Sequence, residues 1–332
     1  MITWGIVGNS HDASIAVFDD ARKGLGPNQS TRLMWAGLAR DFSGVPNDPD
    51  LNDAIVEHAL QYGKPNKVIW YERPFLKTLR QWRAGQGWLG KENNIRAYLK
   101  QWNISCKIEY TQHHLSHAAY AYYTQPYVDC AVICLDSIGE FETLTVWHGT
   151  ERGLKKIHSQ GYPHSLGLFY SAMTQRMGLQ AQRDEYLVAQ WGAKGDPHRL
   201  FMPILEELIE TRGMGCDPYI RMRENMHRGV SWWRPELTTE QDMYDIAAAT
   251  QKVFEYCLVN LAAWTKKKTG AKNLALAGGG ALNRQAVALL TDWHSVHVPK
   301  NPGDPGSCIG AVLAKTQQRT TLDNKWYDEK KI

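Results

Sequence analysis

The amino-terminal stretch ITWGIVGNSHDASIAVF, residues 2–18, contains the pattern from which the fold is predicted. Apolar residues alternate over 2–7 and recur over 13–18, and the polar sequence GNSHD at 8–12 separates the two runs. This pattern is typical of a β-hairpin whose tip carries His11 and Asp12. Residues 32–39 fit a third strand, so the chain is expected to open with three consecutive strands.

The order of predicted elements then repeats in altered form. The first set continues with a helix at 51–62, a buried strand at 67–71, a basic helical stretch at 76–102 and a helix at 113–123. The second set has strands at 130–135, 143–148, 154–159, 273–277 and 295–299, with helices at 166–177, 243–265, 281–291 and 306–315. Two α/β lobes are therefore expected, with residues 1–155 in the first lobe and residues 156–332 in the second.

Composition excludes several classes of protein. The 332 residues are 43% hydrophobic and 22% charged, which suits a folded globular chain and excludes a disordered or collagen-like one. The six cysteines form no CxxC pair, and the amino terminus lacks the features of a signal peptide. No run approaches the ~18 apolar residues that a membrane helix needs. We therefore expect a soluble cytoplasmic protein with no membrane partner.

Positive charge is concentrated in one segment. The formal net charge is only +4, but residues 64–102 hold nine Lys and Arg against two Glu, a local charge of +7, together with Trp82, Trp88 and Trp102. A second group, at 221–234, contains Arg221, Arg223, Arg228, Trp232, Trp233 and Arg234. Both segments suit a polyanion with bases that can stack on aromatic rings, such as DNA. The alternative is a solvated surface with no such partner.

Two histidines indicate a metal site. His113 and His117 lie four residues apart in a predicted helix, so both imidazoles face the same side. Asp136, at the end of a buried strand, and Asp304, in NPGDPG, are the candidate carboxylate ligands. Mixed imidazole and carboxylate ligands suit Fe, Mn or Zn. Asp304 also precedes a predicted helix, so a simple N-cap is its alternative role.

A glycine-rich turn indicates a phosphate-binding loop. Gly278, Gly279 and Gly280 follow a predicted strand and precede a predicted helix, which is the context in which backbone N–H groups bind phosphate. Close packing of a helix on a strand also requires glycine, so this second interpretation remains open.

Nine blocks in collinear order resemble one family, the O-carbamoyltransferases of nodulation-factor, cephamycin and aminoglycoside biosynthesis, in their amino-terminal half. The blocks are GNSHDASIAVFDD (8–20), VIWYERPFLKTLR (68–80), HHLSHAAYAYY (113–123), AVICLDSIGEFET (131–143), PHSLGLFYSAMTQRMGL (163–179), DEYLVAQWGAKGD (184–196), DIAAATQKVFEYCL (245–258), LALAGGGALNRQAV (274–287) and NPGDPGSCIGAVLA (301–314). The resemblance covers nearly the whole chain.

The resemblance implies a fold and a set of site residues. The fold would be the two-lobed α/β fold of actin, Hsp70 and the sugar kinases, with a ligand cleft between the lobes. The site would comprise His113, His117, Asp136 and Asp304 as metal ligands, His11 and Asp12 near the carbamoyl group, Gly278, Gly279, Gly280 and Asn283 in the nucleotide-binding loop, and Glu185 in the cleft. The block around Glu185 departs from the family pattern, because Asp184 and Leu187 replace its Gly and Lys.

The resulting functional prediction is a metal-dependent O-carbamoyltransferase. Iron is the favoured metal, with Mn, Zn or Mg as alternatives, and the donor is carbamoyl phosphate or carbamoyl-adenylate, the latter made with ATP. His11 would handle the proton of the acceptor hydroxyl, and Asp12 would orient His11. The basic segments favour a hydroxyl acceptor on 5-hydroxymethylcytosine in DNA, of the kind found in phage DNA, or on a nucleotide.

Three alternative functions remain open: transfer to a small sugar or antibiotic hydroxyl, a threonylcarbamoyl-type transfer to tRNA, and a non-catalytic nucleotide-binding subunit. The family continues into a second domain that resembles threonylcarbamoyl-adenylate synthases, and no such domain follows in these 332 residues. Three alternatives follow: direct use of carbamoyl phosphate, a separate adenylate-forming protein as a partner, or a second half that has been removed from the sequence given.

Overall fold

Two five-stranded sheets organise the chain in a computed structural model, which describes residues 1–19, 31–83, 93–210, 218–322 and 325–327. The strands are β1 (Ile2–Val7), β2 (Ser14–Asp19), β3 (Arg32–Leu38), β4 (Lys67–Trp70), β5 (Lys107–Tyr110), β6 (Cys130–Gly139), β7 (Glu142–Thr150), β8 (Gly153–Gly161), β9 (Ile209–Glu210), β10 (Arg221–Met222), β11 (Asn273–Ala277) and β12 (Ser295–His297). The helices are α1 (Arg40–Ser43), α2 (Asp53–Leu60), α3 (Pro74–Arg83), α4 (Ile95–Lys100), α5 (His113–Tyr123), α6 (Leu166–Arg176), α7 (Glu185–Gly192), α8 (Pro197–Glu207), α9 (Glu240–Thr269), α10 (Arg284–Ala288) and α11 (Ser307–Thr316).

The two large sheets share one topology. In the first sheet, with order β3-β2-β1-β4-β5, β1 pairs antiparallel with β2 and parallel with β4. In the second, with order β12-β11-β6-β7-β8, β6 pairs antiparallel with β7 and parallel with β11. Each sheet is thus an antiparallel meander extended by two parallel strands. This repeat confirms the predicted two-lobed α/β fold.

The chain passes from one sheet to the other earlier than the sequence predicts. Strands β6, β7 and β8, which span residues 130–161, belong to the second sheet, whereas the prediction places residues up to 155 in the first lobe. The reason is that β6 takes the centre of the second sheet, between β7 and β11. Local periodicity cannot reveal this pairing with a strand far along the chain.

Strand β6 is buried on both faces and joins the two hydrophobic cores. Its alternate residues Cys130, Val132 and Cys134 pack with the first sheet, α5 and α11. The intervening residues Ala131, Ile133 and Leu135 pack with α6, α8 and α9. A continuous apolar run is what a strand covered on both faces requires. Helices α5 and α11 therefore lie between the sheets, and they position the site residues.

Most predicted elements near the site are confirmed, with two changes. Helix α9 is longer than expected, because a capping box at Thr239 and Asp242 starts it and the left-handed Gly270 ends it. The helix expected at 281–291 is instead a short 3-10 turn followed by the five-residue α10, whose N-cap is Asn283.

Among the described residues, no helix is both long and apolar enough to cross a bilayer.

Candidate metal centre

The structure brings the four predicted metal ligands together. His113 and His117 lie in the first two turns of α5, Asp136 lies in β6, and Asp304 starts the short turn before α11. One ligand atom from each of the four residues lies within 4.8 Å of all the others. The histidine pair, Asp136 and Asp304 come from three separate segments of the chain, and only the packing of α5 against α11 and β6 makes all four residues neighbours.

The contacts around the His113 ring fit a divalent cation better than a hydrogen-bond network. His113 Nε2 lies 3.0 Å from His117 Nε2, 3.0 Å from Asp136 Oδ2 and 3.3 Å from Asp304 Oδ1. A ring nitrogen carries at most one hydrogen, so these three contacts cannot all be hydrogen bonds. Two imidazole nitrogens and two carboxylate oxygens form a ligand set that suits Fe, Mn or Zn. The residues present therefore fit the predicted ion.

The pKa values of the two histidines and of Asp304 are shifted from their usual values in this cluster. Burial disfavours the charged imidazole, but Asp304 and Asp136 outweigh burial and hold the pKa of His113 well above its usual value. The pKa of His117 is raised for the same reasons. Burial likewise works against ionised Asp304, and His113 outweighs it to keep the pKa of Asp304 well below the usual value. The two carboxylates therefore favour the protonated form of both imidazoles, against the effect of burial.

A polar side chain lies close to the other ring nitrogen of each ligand histidine. Glu72 Oε2 lies 3.6 Å from His113 Nδ1, and Ser307 Oγ lies 3.2 Å from His117 Nδ1. On the opposite side, Ser10 Oγ donates a hydrogen bond of 2.5 Å to Asp304 Oδ2. Partners of this kind fix which nitrogen faces a metal. The sequence prediction missed all three, although Glu72 stands directly after a buried strand, where ligand-site residues often occur.

Gly139 packs against the face of His113. A Cβ atom at this position would lie 2.2 Å from His113 Cδ2, far inside an ordinary contact. Only glycine therefore leaves room for the imidazole in its observed place. The hairpin end of β6 thus contributes both a ligand, Asp136, and the space for another.

The hairpin tip that carries His11 and Asp12 lies beside the cluster. Asn9 and Asp12 have the left-handed φ values of 54° and 59°, which Asn and Asp tolerate better than most residues. Burial raises the pKa of Asp12, and Arg40, whose Nη1 donates to Asp12 Oδ2 at 2.9 Å, partly offsets this. His11 is exposed. The catalytic roles of His11 and Asp12 stay predictions.

The three glycines of the predicted nucleotide loop differ in their surroundings. A Cβ on Gly278, whose φ is 83°, would lie 2.1 Å from the Leu135 carbonyl oxygen, and one on Gly280 would lie 2.7 Å from Leu135 Cβ. Close packing on β6 therefore explains these two glycines. Gly279 is exposed, and a Cβ added to it would have Asp136 Oδ1 as its nearest neighbour, at 3.7 Å. Gly279 is thus the member of the loop that adjoins the metal cluster.

Asn283 is held by Gln251, a residue that lines a cavity. Its side-chain amide exchanges hydrogen bonds of 2.9 and 3.0 Å with Gln251, and its Oδ1 caps α10 by accepting from Ala286 N–H. Gln251 lines a cavity of about 200 Å³ between α7, α9 and Gln285. The nucleotide-binding role of the loop and of Asn283 stays a prediction.

Glu185 is not part of the four-residue metal cluster. It starts α7, where its Oε1 accepts hydrogen bonds from Ser171 Oγ at 2.9 Å and from Gln182 N–H at 2.5 Å. These contacts order the loop before α7. A catalytic role for Glu185 stays a prediction.

The two basic segments include residues with structural roles. Lys77 and Arg73 bind the carboxylates of Glu72 and Glu140, and Trp102 donates to Asp53. In the second segment, the buried Trp233 donates to Glu207, which also pairs with Arg234. Trp233 is therefore a core residue rather than a free contact residue, whereas Trp102 and Arg234 are partly exposed and pair with carboxylates. Trp82 and Trp232 are about half exposed, while Trp88 and Lys91 lie outside the described residues.

Comparisons with known proteins give a consistent result. A family model described as carbamoyltransferase N-terminus matches residues 55–313. The uncharacterized protein sll1178 of Synechocystis is 27% identical over 308 residues, which cover 81% of this chain and 50% of that protein. Nodulation protein NolNO of Sinorhizobium fredii is 28% identical over 220 residues, which cover 64% of this chain and 32% of that protein.

Among solved structures, the activator of the 2-hydroxyisocaproyl-CoA dehydratase from Clostridium difficile aligns with 96% of this chain and 97% of its own, at 12% identity and a TM-score of 0.49. The chain spans half or less of the length of the curated relatives named above. The family model, in contrast, matches most of this chain. The chain therefore belongs to the family defined by the carbamoyltransferase amino-terminal domain.

Proposed function

We propose that this chain carries the acceptor-modifying site of a metal-dependent O-carbamoyltransferase. The observation that carries the proposal is the convergence of His113, His117, Asp136 and Asp304 within 4.8 Å, in a chain of the carbamoyltransferase family. These four residues would hold the ion, with iron favoured over Mn, Zn and Mg. When bound, a divalent ion supplies Lewis-acid polarisation of a carbonyl group or lowers the pKa of a hydroxyl.

The chain's own residues would then handle the acceptor. The hydroxyl oxygen attacks the carbamoyl carbon, the bond from that carbon to the phosphate oxygen breaks, and phosphate or AMP leaves with the bonding electrons. His11, exposed at the hairpin tip, would take the hydroxyl proton, and Asp12, held by Arg40 at 2.9 Å, would orient it. Glu185 would act from the second lobe by holding the loop before α7.

Two donors are compatible with the arrangement. Carbamoyl phosphate can react directly, whereas carbamoyl-adenylate requires ATP and an adenylate-forming activity, in a partner protein or elsewhere. The exposed Gly279 beside Asp136, and the cavity lined by Gln251, support a nucleotide-bearing donor. We therefore place the adenosine part of that donor against α9 and α10.

We place the acceptor hydroxyl on a base or nucleotide, with 5-hydroxymethylcytosine in DNA as the specific candidate. Phe75 and Trp82 are 72% and 52% exposed and lie two turns apart on the same face of α3, the helix that follows the Glu72 region. Arg80 lies in the same helix, and Trp232 is 55% exposed in the second lobe. Exposed aromatic rings and a basic residue on one helix support binding of an unstacked base and its phosphates.

The central test is product analysis. The metal-loaded protein is incubated with DNA containing 5-hydroxymethylcytosine and carbamoyl phosphate, with and without ATP or with carbamoyl-adenylate, and the nucleosides are analysed by mass spectrometry. We expect a carbamoylated nucleoside, lost in His113→Ala and Asp304→Asn and retained in His198→Ala, which changes a histidine outside the cluster. Unchanged transfer by His113→Ala and Asp304→Asn would refute the metal role. Product on a small sugar or on tRNA alone would refute the DNA acceptor.

A binding assay tests the acceptor surface separately. Base stacking contributes about 1–3 kcal/mol per aromatic side chain, so Phe75→Ala and Trp82→Ala should each weaken binding of the hydroxymethylated DNA by about 5-fold or more. Val45→Ala, at another exposed apolar position, serves as the control. Equal affinity of all three variants would contradict the placement of the acceptor on α3.

A further inference from the structure

A largely buried lysine lies between the metal cluster and the hairpin tip. The side chain of Lys77, in the first half of α3, is only 12% exposed. Its Nζ donates hydrogen bonds of 2.8 Å to Glu72 Oε1 and 2.8 Å to the Asn9 carbonyl oxygen. A lysine so far removed from water is retained only when its charge is compensated, and Glu72 provides that compensation.

Through Glu72, Lys77 is connected to the metal ligand His113. Glu72 is 4% exposed, and its second oxygen, Oε2, lies 3.6 Å from His113 Nδ1. That nitrogen is buried and has no hydrogen-bond partner among the described residues. A neutral imidazole has one N–H, and a carboxylate facing Nδ1 keeps the hydrogen there, which leaves the lone pair of Nε2 for a metal.

Lys77 also binds the backbone of the turn at the hairpin tip. The Asn9 carbonyl that it binds belongs to a residue in the left-handed conformation, with a φ of 54°. The next residue, Ser10, donates to Asp304 Oδ2, and His11 and Asp12 follow directly. Two sets of contacts thus connect the tip to the cluster. One runs through Lys77, Glu72 and His113, and the other through Ser10 and Asp304.

We propose that Lys77 is a positioning residue: together with Glu72 it fixes His113 with Nε2 directed to the metal, and it holds the turn of residues 9–12 in register with that metal. The inference rests on the proposed metal site. Glu72 can stay in a constant position facing His113 only while Lys77 neutralises the charge of Glu72. Loss of the ammonium group would leave a buried carboxylate without its charged partner, so that Glu72 would turn away from His113.

The test measures metal binding rather than turnover. Purified metal-free protein is titrated with Co²⁺, whose visible absorption bands report the geometry of its ligands, for wild type, Lys77→Met, Glu72→Gln, the double variant and Lys100→Met. Lys100 is an exposed lysine on α4, so its variant controls for the loss of one positive charge. We expect a loss of affinity of about 10–100-fold in both single variants, the usual cost of removing a group that orients a metal ligand, with altered bands.

The energetic coupling between Lys77 and Glu72 provides a second measurement. Because the two residues act as a unit, the double variant should bind Co²⁺ no more weakly than the weaker single variant, whereas Lys77→Met combined with Lys100→Met should lose only what Lys77→Met loses. Circular dichroism verifies folding, and Glu72→Gln, which keeps the shape of the side chain, carries the test if Lys77→Met does not fold. Wild-type affinity and bands in folded Lys77→Met, or in folded Glu72→Gln, would overturn the inference alone. A wild-type protein that binds no Co²⁺ would overturn the metal site of the proposed function and the inference with it.

Discussion

Replacing Gly139 by alanine should remove metal binding while leaving the fold in place. The added Cβ would lie 2.2 Å from Cδ2, 2.6 Å from Cγ and 2.8 Å from Nε2 of His113, whereas ordinary contacts begin at 3.4 Å. The ring or the strand must therefore move by about 1.2 Å, more than the ~0.5 Å within which site residues need to be held. Since loss of a group that only orients a metal ligand costs about 10–100-fold in metal affinity, displacement of a ligand should cost more than about 100-fold.

The assay compares Co²⁺ affinity with stability in the same samples. Overpacking by one methyl group costs about 1–3 kcal/mol, so Gly139→Ala should still unfold cooperatively in urea. Gly161→Ala is the matched control, because its Cβ would meet only the Phe141 carbonyl oxygen at 3.1 Å and needs an adjustment of a few tenths of an ångström. Folded Gly139→Ala with the wild-type affinity for Co²⁺ would refute the reasoning.

Three further predictions concern pH, an ion pair and two tryptophans. The raised pKa values of the two ligand histidines stabilise the folded metal-free protein below their ordinary pKa of 6.5, and that stabilisation is lost as the pH rises through the folded values. The thermal stability of the metal-free protein should therefore fall above neutral pH, while affinity for Co²⁺ rises over the same range because the metal displaces these protons; a pH-independent affinity would contradict this. Arg73→Met removes the guanidinium from Glu140, which is 4% exposed, so urea unfolding should show a loss of about 1–3 kcal/mol, limited by the 42% exposure of Arg73; no loss would show that water solvates the carboxylate instead. Trp233→Ala should cost about 3–5 kcal/mol because its ring is buried and donates to a glutamate, whereas Trp232→Ala should change stability by less than about 0.5 kcal/mol, and equal effects would contradict the assigned burial.

Much of the fold could be predicted from local patterns. The alternation in residues 2–18 predicts β1, β2 and the turn between them, and the register of the pair confirms this hairpin. The continuous apolar run at 130–135 predicts β6 as a buried strand. The boundary between the lobes could not be predicted in this way, because it depends on which distant strand pairs with β6.

The candidate site could likewise be predicted only in part from the sequence. The spacing of His113 and His117 places both rings on one face of α5, because a helix brings residues four apart into contact. Asp136 and Asp304 could be named from their positions after a strand and before a helix. Their convergence on the two rings, however, required the packing of α11 between the sheets.

The sequence by itself determined the order of strands and helices, the pair of histidines and the family, since these depend on periodicity, short spacings and the order of motifs. Only the tertiary structure decided that Glu72 and Lys77 stand behind His113, that Gly139 leaves space for its ring, and which tryptophans are buried. The physical reason is the distance along the chain over which each effect acts. Dihedral preferences and side-chain periodicity act over a few residues. A metal-ligating imidazole is positioned by groups that only the folded chain brings within hydrogen-bonding or van der Waals distance.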